Sequence, residues 1–241
     1  MKPSITLWTN GEQWWDGSLV EIGVQTIDRT LSHDANWDEV LRSGQEELTL
    51  ALQCSQMKTG RTRRVLDVGC GIGRVSFALA EHFGEVVGVD ISDAMLSTAR
   101  SHNKSVDVKF KRMSPGAIEP GLESYYDTVF ADEVFHYIDW SCLVSYCEDA
   151  HRLLRSGGEF VFQLNMEPIS TLTHLSWYFR RFLFSCGVKE WRGWSNHPEL
   201  MRKYHPIDEI RKMLQAVGFQ FIRVKVGRSL RQTWFVARLG E

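Results

Sequence analysis

Three closely spaced glycines are the first residues of this sequence whose spacing has a chemical meaning. Gly69, Gly71 and Gly73 follow the apolar run 65–68, and an apolar, alanine-containing segment begins directly after them. This pattern predicts a buried strand, a tight turn and a helix, because glycine permits a sharp turn and lets a ligand approach the backbone. The N–H groups at the start of that helix would face a polar or negatively charged ligand.

A carboxylate follows the glycines at a distance of about twenty residues. The apolar run 86–89 predicts a second strand, and it ends in Asp90. An acid in this place of a nucleotide-binding βαβ unit accepts hydrogen bonds from ribose hydroxyls, for which a carboxylate has enough acceptor sites. The alternative role for Asp90 is an N-terminal helix cap, although Ser92 is the better candidate for that cap.

The glycine spacing separates two classes of cofactor. A dinucleotide fingerprint reads G-x-G-x-x-G, whereas this chain reads D-x-G-x-G-x-G from Asp67 to Gly73. The pattern resembles motif I of the class I S-adenosylmethionine (SAM) methyltransferases. Segments in the same order as in that family extend the resemblance to about residues 60–165; they are Asp90-Ile91-Ser92 with Met95, Tyr126-Asp127, and Leu153 to Gly158.

The resemblance implies that SAM is the cofactor and that its amino-acid part and ribose lie on the first two loops. Gly69, Gly71 and Gly73 would line the amino-acid part with backbone. Asp67 would anchor the turn and reach the methionyl ammonium, and Asp90 would accept from the ribose hydroxyls. Arg74 has two equal alternatives, either to bind the cofactor carboxylate or to lie at the helix surface.

The resemblance also implies an adenine site beyond the second and third strands. Ile91 and Met95 would pack on the adenine, although Met95 is equally compatible with a core position. Family members often have an acid after the third strand, where this chain has Met113 and Ser114. The hydroxyl or backbone of Ser114 would replace that acid. Ala131, at the end of the fourth strand, would turn a backbone carbonyl towards the methionyl group.

The segment after the fourth predicted strand is the candidate catalytic loop. It contains His136, whose ordinary pKa suits the removal of a proton from a hydroxyl near neutral pH, and Tyr137, which would orient the acceptor. The alternative is that His136 only packs a helix or neighbours the cofactor. Asp132 and Glu133 are further acids at this edge. Since they lack a matching set of ligands, we expect no metal.

Residues 166–205 interrupt the alternation of strands and helices and predict an inserted lid that binds the acceptor. Aromatic side chains supply the apolar walls of small-molecule pockets, and a few polar groups orient the ligand. Packing of the lid or a dimer surface are the alternatives. Arg180 and Arg181 would pair with an anionic acceptor or with membrane headgroups, or form a solvated face. The predicted acceptor-binding residues are Trp177, Tyr178, Trp191, Trp194, His197 and His205.

Composition restricts the class of acceptor. The net charge of −2 gives no reason to expect a nucleic-acid partner, and the sequence lacks the (N/D)-P-P-(Y/F) and Pro-Cys motifs of DNA methyltransferases. We therefore expect methylation of a small molecule, foremost at a hydroxyl. The alternatives are N-methylation of a small molecule and a SAM-binding partner or regulatory protein without catalysis. A Rossmann-type oxidoreductase does not fit the glycine spacing.

The 241 residues suit one α/β domain with a lid. The sequence has five cysteines without metal-type spacing, no signal peptide and no apolar stretch long enough to span a bilayer. These features predict a cytoplasmic protein. We expect a monomer or a homodimer. The expected fold is α/β, a Rossmann-like class I methyltransferase sandwich with a seven-stranded, mostly parallel sheet and an antiparallel C-terminal hairpin. The expected parts are an N-terminal cap and helix (1–58), the SAM-binding core (59–165), the lid (166–205), and a helix with a hairpin (206–241).

Overall fold

The computed structural model describes residues 15, 35–114, 117–191, 194–196 and 201–240. Most of the predicted N-terminal cap therefore lies outside the described residues. In the described part, strands and helices alternate along the chain as the sequence predicts. The strands are β1 (Gly60–Val68), β2 (Phe83–Asp90), β3 (Val108–Arg112), β4 (Tyr126–Ala131), β5 (Leu154–Leu164), β6 (Glu190–Trp191), β7 (Trp194–Ser195), β8 (Phe221–Val226) and β9 (Thr233–Arg238). The helices are α1 (Trp37–Ser55), α2 (Arg74–Leu79), α3 (Asp93–His102), α4 (Trp140–Leu153), α5 (Thr171–Ser185) and α6 (Ile207–Val217).

Seven strands form one mixed sheet in the order β3-β2-β1-β4-β5-β9-β8. The first five pair in parallel, and β9 pairs antiparallel with both β5 and β8. The predicted fold class is thereby confirmed. The strand order changes direction between β1 and β4, which is the point where open α/β sheets bind their ligands.

Helices cover both faces of the sheet because successive strand residues point to opposite sides. Val65 packs in a cluster with α1, α2 and α3 residues, whereas its neighbour Leu66 packs in a second cluster with α4 and α6. Both side chains are fully buried. This explains why the last four residues of β1, 65–68, are all buried rather than alternately buried and exposed.

Helix α1 closes over the beginning of α2. Its N-terminus carries a capping box between Asn36 and Glu39, which fixes the start of the helix at Trp37. Gly44 permits the close approach, because a Cβ there would lie 2.2 Å from the carbonyl oxygen of Arg74. Helix α2 begins at Arg74, directly after the left-handed Gly73 that forms its N-terminal cap.

The predicted lid, residues 166–205, lies outside the seven-stranded sheet. Its described part consists of α5 and of the short antiparallel pair β6–β7. None of the residues of α5 is buried. Within the described residues, no helix is long and apolar enough to cross a membrane.

Candidate active site

The loops after β1, β2 and β4 meet at one edge of the sheet. These three strands are parallel neighbours, so their carboxyl ends point the same way. The loops carry the glycine turn, Asp90 and the predicted catalytic loop, respectively. The sheet therefore brings together three motifs that are up to about seventy residues apart in the chain.

The glycine turn is required by its backbone conformation and by packing. Gly69 and Gly73 have φ angles of 74° and 84°, in the left-handed region that favours glycine. A Cβ on Gly69 would lie 2.3 Å from Val134 Cγ2, and one on Gly73 would lie 2.6 Å from Phe110 Cζ. Each absent side chain would thus point at protein, which means that packing alone already demands these glycines.

Asp90 ties the glycine turn to the start of α3. Its Oδ2 accepts a hydrogen bond from the Gly71 N–H at 2.8 Å, and its Oδ1 accepts from the Ser92 N–H at 2.9 Å. Ser92 is the cap of α3, since its hydroxyl accepts from the Met95 N–H, as the sequence favours. A carboxylate offers about four acceptor sites, so these two bonds are compatible with accepting ribose hydroxyls as well.

Asp67 lies buried beneath the turn and anchors it to α2. The Ser76 hydroxyl donates to its Oδ2 at 2.5 Å. Burial raises the pKa of Asp67 to about 6, against the lowering effects of Ser76 and of the charge on Arg74. The Arg74 side chain is itself buried, which excludes its placement at the helix surface.

The residues predicted around the adenine divide between core and surface. Met95 is buried beside Val40 and Ile72, in a cluster that Trp15 and Trp37 cover in part. Ile91 is half-buried. Met113 is buried, and its N–H donates to the Asp90 carbonyl at 2.9 Å. Ser114 is exposed, and Ala131 is fully buried at the end of β4.

The predicted catalytic loop holds its histidine next to a carboxylate. His136 is buried in the 3₁₀ turn Phe135–Tyr137, and its Nε2 lies 3.3 Å from Glu133 Oε2. Its buried Nδ1 has no hydrogen-bond partner among the described residues. Glu133 has a φ of 56°, which is rare for a residue with a side chain and is typical of strained functional loops.

Tyr137 packs beside His136 and contacts Trp15 of the N-terminal segment. The rings of His136 and Tyr137 are 4.2 Å apart, and the Trp15 ring contacts Tyr137 edge-on at 6.3 Å. The backbone carbonyl of His136 accepts from the Lys203 N–H at 2.7 Å. Residues from both ends of the chain thus support the loop, which no local sequence pattern predicts.

Asp132, directly after β4, is a further acid at this edge of the sheet. Both of its carboxylate oxygens are buried and lack a hydrogen-bond partner in the described part of the chain. Burial raises its pKa well above the ordinary range, and the negative charge of Glu47 on α1 raises it further. An unpartnered buried carboxylate beside the glycine turn fits a ligand that carries positive charge, as SAM does on its ammonium and sulfonium groups. The only signal in the sequence is an acid directly after a buried strand.

The predicted acceptor-binding residues whose side chains the structure describes, Trp177, Tyr178, Trp191 and His205, lie in different environments. Trp177 is half-buried on α5, whereas Tyr178 is largely exposed on the same helix. The Trp191 ring is partly exposed and contacts Phe179, with 5.4 Å between the ring centroids. Trp194 lies in β7, and His197 lies outside the described residues.

His205 lies apart from the lid residues and supports the catalytic loop. It is buried, and its Nε2 is 3.1 Å from the Ile138 carbonyl oxygen. Burial lowers its pKa. Across the part of the chain that the structure describes, no group of three or more His, Cys, Asp or Glu residues is arranged to hold a metal ion.

Fold and site together define a class of protein. A mostly parallel sheet with an antiparallel terminal hairpin, a glycine turn after β1 and a carboxylate after β2 make this chain similar to the class I SAM-dependent methyltransferases. Residues 65–158 match the family described as a methyltransferase domain. SAM is the cofactor of this family.

Individual relatives agree with this family. A ubiquinone biosynthesis O-methyltransferase of Alkalilimnicola ehrlichii is 29% identical over 162 residues, which are 65% of this chain and 64% of that protein. A probable SAM-dependent methyltransferase of Saccharomyces cerevisiae is 32% identical over 128 residues, 50% of this chain and 42% of that one. The chain thus spans less than two thirds of the length of these relatives.

Solved structures show the same fold at lower sequence identity. A magnesium protoporphyrin IX methyltransferase from Synechocystis, solved with bound S-adenosylhomocysteine (SAH), has a TM-score of 0.60 at 18% identity and covers 96% of this chain and 99% of its own. A phosphoethanolamine N-methyltransferase from Haemonchus contortus has a TM-score of 0.66 at 15% identity, covering 97% of this chain and 49% of its own.

Proposed function

We propose that this protein is a SAM-dependent methyltransferase that transfers a methyl group to a hydroxyl of a small molecule. The observation that carries the choice of a hydroxyl is the pair of His136 and Glu133, 3.3 Å apart next to the glycine turn. The name of the Alkalilimnicola relative, an O-methyltransferase, supports the same choice.

Within this proposal, the residues around the glycine turn bind and orient the cofactor. Asp90 accepts from the ribose, the backbone of Gly69, Gly71 and Gly73 lines the amino-acid part, and Asp67 and Asp132 provide negative charge near the methionyl ammonium. Ile91, Met95, Met113 and Ser114 surround the adenine, and Arg74 and Ala131 complete the site. The bound cofactor supplies an electrophilic methyl group on a positively charged sulfonium.

His136 is the proposed general base, oriented by Glu133. When the Nε2–H of His136 donates to Glu133, the lone pair lies on Nδ1, which can accept a proton. When the bound cofactor supplies its methyl group to the acceptor oxygen, Nδ1 of His136 would take the hydroxyl proton. Glu133 stabilises the resulting imidazolium, and Tyr137 orients the acceptor.

The acceptor is proposed to lie between the catalytic loop and the inner side of α5. Trp177 is the predicted acceptor-binding residue that best fits this position, because it is half-buried on α5. Trp191, Trp194 and His197 belong to the same segment, while Tyr178 and His205 fit less well, being exposed and engaged with Ile138, respectively. Their roles in acceptor binding remain part of the proposal.

The cytoplasm is the proposed location of the protein. All five cysteines are free thiols, including the exposed Cys186. Free thiols persist in a reducing compartment.

The experiment that tests this function is turnover of SAM with a panel of small hydroxyl- and amine-bearing acceptors, followed by mass spectrometry. With a hydroxyl acceptor, we expect His136→Ala to lower kcat by about 10²–10⁴-fold, because general-base catalysis contributes that much. His82→Ala, at the opposite end of the sheet, is the matched control.

Two other results would point to different functions. A loss of only a few-fold in His136→Ala would contradict the general-base role and favour N-methylation, since a neutral amine is already nucleophilic. Tight SAH binding without turnover of any acceptor would favour a SAM-binding protein without catalysis.

A further inference from the structure

Helix α5 has two different faces, and neither is fully buried. The half-buried face contains Trp177, Arg180 and Phe184. The opposite face is exposed and apolar. At about 100° per residue, its members cover about a quarter to a third of the helix circumference. They are Leu172, Leu175, Tyr178, Phe179 and Phe182, with exposed fractions of 78%, 60%, 70%, 46% and 62%.

This arrangement differs from that of an ordinary surface helix, because the exposed face of α5 is apolar as well as the half-buried one. A helix on the surface of a globular domain turns its apolar stripe to the core and its polar residues to water. Single exposed apolar side chains are common, whereas a contiguous patch of this kind marks a binding surface. The outer face of α5 is therefore built to contact something other than water.

The β6–β7 pair extends the same surface and is held to the helix by hydrogen bonds and ring packing. Arg180 Nε donates to Asn196 Oδ1 at 3.2 Å, and Asn196 Nδ2 donates to the Val188 carbonyl at 2.9 Å. The Trp191 ring packs against Phe179. Val188 and Trp191 are exposed, so the apolar surface continues beyond the helix.

The charge of helix α5 is positive, although the chain as a whole is slightly acidic and β6 adds one acid, Glu190. Helix α5 contains Arg180 and Arg181 and no acidic residue. Arg181 is exposed at the border of the apolar face, and Lys189 is exposed after the helix. Glu167, which precedes the helix, pairs with Arg231 at 2.8 Å. The complementary partner therefore carries negative charge beside apolar groups.

A second copy of the chain fits this surface poorly. Two α5 helices face to face would bring the arginines of both copies together, and like charges across an interface disfavour association. An anionic lipid bilayer offers both required features, acyl chains below and negative headgroups above. Aromatic residues with arginine on one helix are typical of helices that lie in the membrane interface.

The length of α5 determines how it would meet a bilayer. Its 15 residues form a helix about 22 Å long, shorter than the hydrocarbon core of about 30 Å. Since it cannot span the bilayer, its axis must lie in the plane of the surface.

We propose that α5 and the β6–β7 pair dock the protein on an anionic membrane surface. Leu175, Phe179 and Phe182 enter the boundary between headgroups and acyl chains, and Arg181 contacts the lipid phosphates. This docking is independent of the identity of the methyl acceptor, so it can be tested without knowing the reaction.

The test is co-sedimentation of the full chain with phosphatidylcholine vesicles that contain roughly 30% phosphatidylglycerol, compared with pure phosphatidylcholine vesicles. We expect binding to the anionic vesicles, weaker binding to the neutral ones, and a decrease at high salt, because headgroup attraction is screened. Leu175→Glu combined with Phe182→Glu should lower the partition coefficient at least about tenfold. Arg181→Glu should reduce the preference for anionic lipid.

The matched control is Val106→Glu, which introduces an acid at an apolar side chain that is 89% exposed outside the proposed surface. It should bind vesicles like the wild type. Circular dichroism and SAH binding verify that each variant folds, which is expected because the changed side chains are exposed.

Three outcomes would overturn the proposal. The first is no binding of the wild type to anionic vesicles at low salt. The second is equal binding by the wild type and the Leu175/Phe182 double variant. The third is a wild-type dimer in light scattering that the double variant abolishes, since a second copy would then cover this face.

Discussion

At the scale of single residues, the site contains buried carboxyl groups, although carboxyl groups are usually exposed to solvent. Asp67 and Asp132 both have raised pKa values because burial disfavours the charged form. When such a group ionises in the ligand-free protein, it lowers the stability of the fold. A cationic ligand is favoured at this position because it compensates for the lost solvation of the carboxylate. This is the expected arrangement for a site that receives an ammonium and a sulfonium.

Asp67 gives a prediction on stability and pH. Its pKa is about 6 in the folded chain, against an ordinary value of 3.8. Because the folded value is raised, this group stabilises the fold below its unfolded pKa, and the contribution of about 3 kcal/mol is lost as the pH rises through 6. Relative to Asp67→Asn, the wild type should lose about 1 kcal/mol of unfolding free energy between about pH 5 and pH 7.5.

The measurement is urea unfolding of the chain without ligand at several pH values. Asp93→Asn, which removes an exposed carboxylate in a surface ion pair with Arg112, controls for the loss of one negative charge. Parallel pH curves for the wild type and Asp67→Asn would contradict the assignment of the raised pKa to Asp67.

At the scale of elements, the contact between α1 and α2 determines the shape of the site. Helix α1 brings Glu47 towards Asp132 and packs its Gly44 on the Arg74 backbone, directly behind the glycine turn. The capping box predicts how α1 begins, but the face that it presents depends on α2, which is far away in the sequence.

Gly44→Ala should therefore disturb the site through packing. The added Cβ would lie 2.2 Å from the Arg74 carbonyl, so α1 must move. We expect a loss of about 1–3 kcal/mol of stability, as for other overpacked positions, together with weaker SAH binding. Gly60→Ala is the control, because its Cβ would have only ordinary contacts at 3.4 Å and beyond. Unfolding curves and calorimetric titration measure both effects, and unchanged SAH affinity in a destabilised Gly44→Ala would show that α1 does not shape the site.

At the scale of the whole molecule, the cofactor site joins segments from most of the chain. Ligand binding to the native state should therefore stabilise the entire fold by mass action. With SAH at a hundredfold excess over its Kd, the stabilisation is about 2.7 kcal/mol, which corresponds to a rise in Tm of roughly 5–10 °C for a chain of this size.

The measurement is a thermal-shift titration of protein freed of bound ligand, with NAD as the comparison ligand. We expect a saturable shift with SAH alone, reduced in Asp90→Asn and preserved in Asp93→Asn. A shift with NAD alone would contradict the cofactor assignment, and an unreduced shift in Asp90→Asn would show that the ribose lies elsewhere.

The sequence alone determined the features that depend on local pattern. The order of strands and helices, the glycine turn, the carboxylate after β2 and the cap at Ser92 follow from periodicity, conformational freedom and side-chain chemistry within a few residues. The antiparallel C-terminal hairpin was predictable as well, because two apolar runs flank a short polar turn.

Only the tertiary structure decided how distant residues meet. The burial of Asp132 near Glu47, the contact between Trp15 and Tyr137 and the burial of Arg74 arise from packing between segments that the sequence does not link. The outward apolar face of α5 belongs here too, because the spacing of its residues predicts an amphipathic helix but not which side faces the protein. Burial is a property of the assembled sheet and helices, so the same side chain is core, site or surface according to what folds against it.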